Sequence, residues 1–178
     1  MTIKNKTFLI TGASSGLGQQ TCIELSRQGA SIILVGRCIN KLSQTLKQME
    51  EGNHLLIDTD LANFETYDRM FQNIKECFTH GIDGFVHFAG HRITKPIRVQ
   101  KTDDIDRLMK IHVEAFLELI KWCTKKIYLG QNGTSIVAVS SVSSIKGAKG
   151  LSGYAASKGA INSLIPTLAL ELAEKKCR

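Results

Sequence analysis

The chain has 178 residues, 43% of them hydrophobic and 22% charged, and a formal net charge of +7. That length and balance predict one globular domain over 1–178 with a sizeable core, and no repeat, low-complexity tract or linker divides it. No apolar run reaches the roughly 18 residues a membrane span needs, and the basic residues form no aromatic-interleaved stripe, so neither a membrane nor a nucleic acid is expected as a partner.

Taken in order, residues 6–11 read as a buried strand and 16–28 as a helix closed by Gly29. A strand at 31–35 and a helix at 39–50 follow, then a strand at 54–58 and a helix at 63–78. The remainder reads as a strand at 82–88, a long helix at 102–128, a strand at 135–140 and a helix at 153–176. Strands apolar on both faces, alternating with helices, predict an α/β fold: a doubly wound, Rossmann-like parallel sheet of five strands in the order 3-2-1-4-5. The opening MTIKNKTFLITG is too short and polar to be a signal peptide. The cysteines at 22, 38, 77, 123 and 177 are scattered without metal spacing, so no metal is expected. Free thiols in a reducing, cytoplasmic setting are the expectation.

TFLITGASSGLGQQ, residues 7–20, carries the first chemical signal. Gly12 allows a tight turn after the strand, Gly16 a close backbone approach to a pyrophosphate, and Gly18 packing of the helix on the sheet. Ser14, Ser15 and Leu17 complete a loop that ends on a helix N-terminus, where free N–H groups and the helix dipole favour phosphate. A glycine turn kept for geometry alone is the competing reading.

The spacing T-G-x-x-x-G-x-G resembles the cofactor turn of the short-chain dehydrogenases/reductases, and other segments agree in order and spacing. Asp60-Leu61 matches the family's adenine-contacting Asp, and Ala89-Gly90 matches the end of its Asn-Asn-Ala-Gly. Ser141 stands thirteen residues before Tyr154, and Tyr154-Ala-Ala-Ser-Lys158 is a Y-x-x-x-K element. The resemblance covers essentially the whole chain. It implies a Tyr154 general acid/base, a Ser141 that holds the substrate carbonyl, and a Lys158 that assists Tyr154 and binds the nicotinamide ribose. The chemistry suits these residue types. A phenol alone ionises near pH 10, and an ammonium one helical turn away eases that loss. An isolated Tyr–Lys pair at this spacing is otherwise an ordinary solvated helix face.

At the end of the second strand, Gly36 stands where a carboxylate would meet a ribose 2′-hydroxyl, and Arg37 follows. A guanidinium binds a 2′-phosphate that a carboxylate would repel, so NADP(H) is favoured over NAD(H), with Ser14 adding a hydroxyl. An exposed loop arginine is the alternative.

Three departures from the family pattern stand out. Ile111-His112-Val113 replaces an Ile-Asn-Val-like element, and His112 is a candidate for the fourth catalytic position. It is read as a water-holding relay with an added near-neutral pH dependence; a damaged relay or simple packing are the alternatives. His87-Phe88 replaces the paired Asn ahead of Ala89-Gly90. The family's C-terminal strands and substrate lid have no counterpart before Arg178. The expectation is a fragment of a longer enzyme, the alternative a truncated protein, and the fifth strand is expected to be an unprotected edge.

The resemblance implies an NADP(H)-dependent carbonyl–alcohol oxidoreductase, nearest the 3-oxoacyl-thioester reductase branch, acting on a small-molecule or carrier-bound carbonyl. A sugar or polyol substrate stays open, as does a non-catalytic sensor or partner subunit. A homodimer or homotetramer is the expected assembly.

Overall fold

In the computed structural model, which describes residues 3–178, five apolar runs pair into one parallel sheet. They are β1 (Thr7–Thr11), β2 (Ser31–Gly36), β3 (Leu55–Asp58), β4 (Gly84–His87) and β5 (Ser135–Ala138). Their order is β3-β2-β1-β4-β5, as expected. In β1, Leu9 stands beside Ile33 on one side and Phe85 on the other. Successive side chains point to opposite faces. Leu9, Ile33 and Phe85 therefore join one core, with Phe71 and Phe116, while Ile10, Ile32 and Leu34 join a second, with Cys22 and Leu42. Apolar residues on both faces follow from helices covering both.

The second core lies under α1 (Gly16–Arg27) and α2 (Ile39–Leu46). The first lies under α3 (Tyr67–Cys77), α5 (Ala115–Cys123) and α6 (Ser152–Glu171). Because the chain runs from β1 outward to β2 and β3, then returns to β4, the helices diverge above the β1/β4 junction. That divergence opens a crevice at the C-terminal strand ends.

Several boundaries differ from expectation. The third helix is preceded by a 3-10 turn, Phe64–Thr66, whose Glu65 N–H is accepted by the Asn63 side chain at 3.2 Å. The long helix at 102–128 is instead α4 (Thr102–Met109), a π-helical segment (Lys110–Glu114) and α5. It ends at Cys123, where the Lys125 N–H turns back to the Trp122 carbonyl at 3.0 Å and Thr124 Oγ1 joins its own N–H in donating to the Ile120 carbonyl, at 2.8 Å. β5 stops at Ala138 because Ser141 already caps a 3-10 turn, Val142–Ser144.

The edge of β5 is not fully open. Arg178 N–H donates to the Thr134 carbonyl at 3.2 Å, and Ile136 N–H donates to the Arg178 carbonyl at 2.6 Å. All five cysteines are free, with Cys22, Cys123 and Cys177 buried. Among the described residues no helix is long and apolar enough to cross a membrane, and no cluster of His, Cys, Asp or Glu could hold a metal.

Candidate active site

The crevice is a cleft of about 770 Å³, within the range of cofactor sites. Its floor is the glycine turn. Gly16 has φ +56°, and no atom lies within 4 Å of where a Cβ would stand, so its backbone meets open space at the start of α1. Gly12 and Gly18 pack on each other: a Cβ on Gly18 would lie 2.8 Å from the Gly12 carbonyl carbon. Gly18 therefore seats the start of α1 on the turn that directly follows β1.

His87, buried at the end of β4, links three elements. Its Nε2 lies 3.0 Å from the Ile111 carbonyl, and its Nδ1 lies 2.9 Å from Thr11 Oγ1. A carbonyl only accepts, so Nε2–H donates to Ile111 and the Thr11 hydroxyl donates to Nδ1. Thr11 Oγ1 in turn accepts the Ala89 N–H at 3.2 Å. The bracing that the family assigns to asparagines is thus supplied by an imidazole that reaches the π-helical segment.

His112, inside that segment, is fixed the same way. His91 N–H donates to its Nε2 at 3.2 Å, so the proton sits on Nδ1, which donates to Ser157 Oγ at 2.8 Å. Ser157 passes its own proton to the Tyr154 carbonyl at 2.8 Å. A Cβ on residue 90 would lie 2.5 Å from His112 Nε2, so this imidazole fits only against glycine. Burial first, and then the charge of Lys158, pushes the His112 pKa down to about 3. Burial pushes His87 down to about 4. Both rings are neutral near pH 7. The reading of His112 as a water relay with a near-neutral titration is corrected: both its nitrogens are taken up within the protein, and it braces α6 against the turn at 90–91.

Tyr154 and Lys158 stand one turn apart on α6. The Tyr154 ring meets His112 edge-on, with centroids 5.6 Å apart. Lys158 is buried, its ammonium donates to the Val139 carbonyl at 2.8 Å, and burial draws its pKa below the ordinary lysine value. Ser140 Oγ donates to the Lys158 carbonyl at 3.2 Å, tying β5's end to α6. Ser141 Oγ accepts the Ser143 N–H at 3.1 Å, which leaves its own proton to donate. At the other end of the cleft, Ser14 Oγ lies beside Gly36, 3.5 Å from where a Cβ on that glycine would stand. Asp60 Oδ1 accepts the Ala62 N–H at 3.0 Å and shapes the turn after β3.

All the expected site residues line this cleft except Gly16 and Ser141. The sequence reading missed the wall formed by Arg107, Lys110 and Ile111, and the rim at His91 and Arg92. The basic side chains were visible, but nothing in their spacing showed which face of the broken helix they occupy.

Residues 6–178 match the family described as short chain dehydrogenase. The chain belongs to that family. An uncharacterized oxidoreductase of Listeria innocua is 30% identical over 177 residues, covering 98% of this chain and 71% of that protein. A glucose 1-dehydrogenase of Gluconobacter oxydans is 33% identical over 181 residues, covering 97% of this chain and 66% of that one. The structure of an NAD+-bound xylitol dehydrogenase matches with a TM-score of 0.89 at 26% identity, over 100% of this chain and 69% of its own. Short-chain dehydrogenases are oxidoreductases that use NAD or NADP, and the residues here fit such a dinucleotide. Gly12, Ser15, Leu17 and Gly18 bring the turn at the head of α1, where a helix N-terminus favours phosphate, into the same cleft that Tyr154 and Lys158 line.

Proposed function

We propose that this short-chain dehydrogenase interconverts a carbonyl and an alcohol with NADP(H), using Tyr154 as general acid/base. The observation that carries the reading is Tyr154 and Lys158 lining, one helical turn apart, the cleft floored by the glycine turn. The bound dinucleotide supplies or receives the hydride. In reduction, Tyr154 donates its phenolic proton to the carbonyl oxygen and is reprotonated from solvent. Lys158, anchored on the Val139 carbonyl, sets a positive charge that favours the phenolate left behind. Ser141 donates a hydrogen bond to the same carbonyl oxygen, keeping its own proton, and fixes the carbonyl's orientation.

Arg37 at the end of β2, with Ser14 beside Gly36, supports NADP(H) over NAD(H). Arg37→Asp is expected to reverse that preference, with NADPH affinity falling about tenfold or more. Unchanged NADPH binding in that variant rejects the cofactor assignment. The substrate reading is a 3-oxoacyl thioester or a related carbonyl. A sugar or polyol is the second reading, favoured by the likeness to the glucose and xylitol dehydrogenases. Assembly as a homodimer or homotetramer is supported by the apolar side chains that α6 leaves exposed, Ile165 and Leu170.

The decisive test is Tyr154→Phe. Turnover is expected to fall by about 10²–10⁴-fold, the usual worth of a general acid, with NADPH affinity retained. Turnover that survives the change overturns the mechanism. A wild-type protein that binds NADPH but turns over no carbonyl or alcohol would instead be a sensor or partner subunit.

A further inference from the structure

We propose that Thr45 of α2, held by Gln19 of α1, is a positioning residue for the dinucleotide: it fixes the peptide that opens the glycine turn in the orientation the pyrophosphate needs. This rests on the reading that the cleft holds a nicotinamide dinucleotide, and it holds for NAD(H) and NADP(H) alike.

Thr45 is fully buried in the last turn of α2. A threonine inside a helix has a ready acceptor in the carbonyl one turn back, and the Lys41 carbonyl lies 3.3 Å from Thr45 Oγ1. The shorter bond leaves the helix instead. Thr45 Oγ1 donates to the Ala13 carbonyl at 3.0 Å and accepts the Gln19 Nε2–H at 3.1 Å. Ala13 N–H donates to the Val35 carbonyl at 3.2 Å. Ala13 is thus gripped at both its backbone groups, one by β2 and the other by α2.

The turn has little stiffness of its own. Gly12 and Gly16 flank Ala13-Ser14-Ser15 at φ +70° and +56°, and glycine rotates more freely than any other residue. A carbonyl turned toward phosphate repels it, whereas N–H groups attract it. A trans peptide is planar, so its C=O and N–H point in opposite directions. Holding the Ala13 carbonyl against α2 therefore turns the Ser14 N–H away from α2. Ser14 and Ser15 line the cleft, while Ala13 is fully buried behind them. A turn fixed in advance loses less freedom when its ligand arrives.

Gln19 completes the device from the first turn of α1. Its amide donates to the Thr45 oxygen, so the single hydroxyl proton is left for the carbonyls. The helix whose N-terminus faces phosphate and the helix that follows β2 are thereby joined at the turn. α2 is itself seated closely, since a Cβ on Gly36 would lie 3.1 Å from Leu42 Cδ2. The chain Gln19–Thr45–Ala13 thus carries the rigidity of two packed helices into a glycine-flanked loop.

The experiment is calorimetric titration of NADPH, NADH and ADP-ribose into wild type, Thr45→Val, Thr45→Ser, Gln19→Met and Ser26→Ala. Ser26 is the control, a buried hydroxyl that also links α1 to the chain around α2. It accepts the Glu50 N–H at 3.1 Å and donates to the Ile23 carbonyl at 2.7 Å, both outside the turn. Thr45→Val is expected to weaken all three ligands about tenfold, the effect of a buried carbonyl left unpaired. Thr45→Ser is expected to restore binding to within about twofold of wild type. Gln19→Met, which keeps the bond from Thr45 to Ala13, is expected to weaken binding about threefold, and it reads the same coupling if Thr45→Val does not fold. Ser26→Ala is expected to lower Tm without weakening any ligand. The assignment is overturned by unchanged affinity in Thr45→Val, or in Gln19→Met where Thr45→Val does not fold. Equal weakening in Ser26→Ala, a loss confined to NADPH, or a Thr45→Ser that binds no better than Thr45→Val also overturns it. The cofactor reading fails separately, and takes this one with it, when wild type binds none of the three ligands.

Discussion

Two buried imidazoles carry much of the site's rigidity, and their protonation sets a limit on it. In an unfolded chain a histidine gains its proton near pH 6.5. In the fold His87 does so near pH 4 and His112 near pH 3. Between those values the unfolded chain binds more protons, so stability falls as the pH drops from 6.5 towards 4. The slope is about 1.4 kcal/mol per pH unit for each histidine. Above pH 6.5 the pair adds no pH dependence. His87→Asn, which keeps an acceptor for the Thr11 hydroxyl but no titrating ring, is expected to remove about one histidine's share of that slope in urea unfolding between pH 6 and 4.5. A variant as steep as wild type refutes the account. Tyr154, Lys158 and the glycines were legible in the sequence because their partners are local: one helical turn, or one strand-to-helix turn. The use made of His87 and His112 was not, because Ile111, His91 and Ser157 reach them only through the fold.

At the level of elements, the π-helical segment was the least legible feature. One extra residue in a helical turn hardly changes apolar periodicity, so 102–128 reads as one helix, yet the bulge turns the Ile111 carbonyl to His87. The segment at 91–101 ties α4 to the start of α6. Lys95 Nζ donates to both Asp104 oxygens at 2.8 and 2.7 Å, and Asp104 Oδ2 also accepts the Lys101 N–H at 3.0 Å. Lys95 N–H reaches the Gly150 carbonyl at 2.9 Å, and Ser152 Oγ reaches Gln100 Oε1 at 2.7 Å. Lys95, foremost, holds the Asp104 carboxyl below the usual carboxylate range. The ion pair, open to solvent on its lysine side, is worth little, but the cap is worth more. Asp104→Ala is therefore expected to lower Tm by about 3 °C. Asp104→Asn, which keeps an acceptor for Lys101, is expected to lower it less. Equal losses in thermal melts make the ion pair, not the cap, the main contribution.

For the whole molecule, the strand order was legible because apolar runs spaced by helices leave few right-handed parallel arrangements. That order also fixes a sequence of events during synthesis. β1 pairs with β2 and β2 with β3, all within residues 7–58, so this half-sheet can close early. The other side of β1 has no partner until Gly84–His87 has been made. At about 5–20 residues per second, the backbone groups along that side of the future central strand stay unpaired for several seconds. In the finished protein β1 is the central strand of the sheet; on the ribosome it stays adhesive along a full edge.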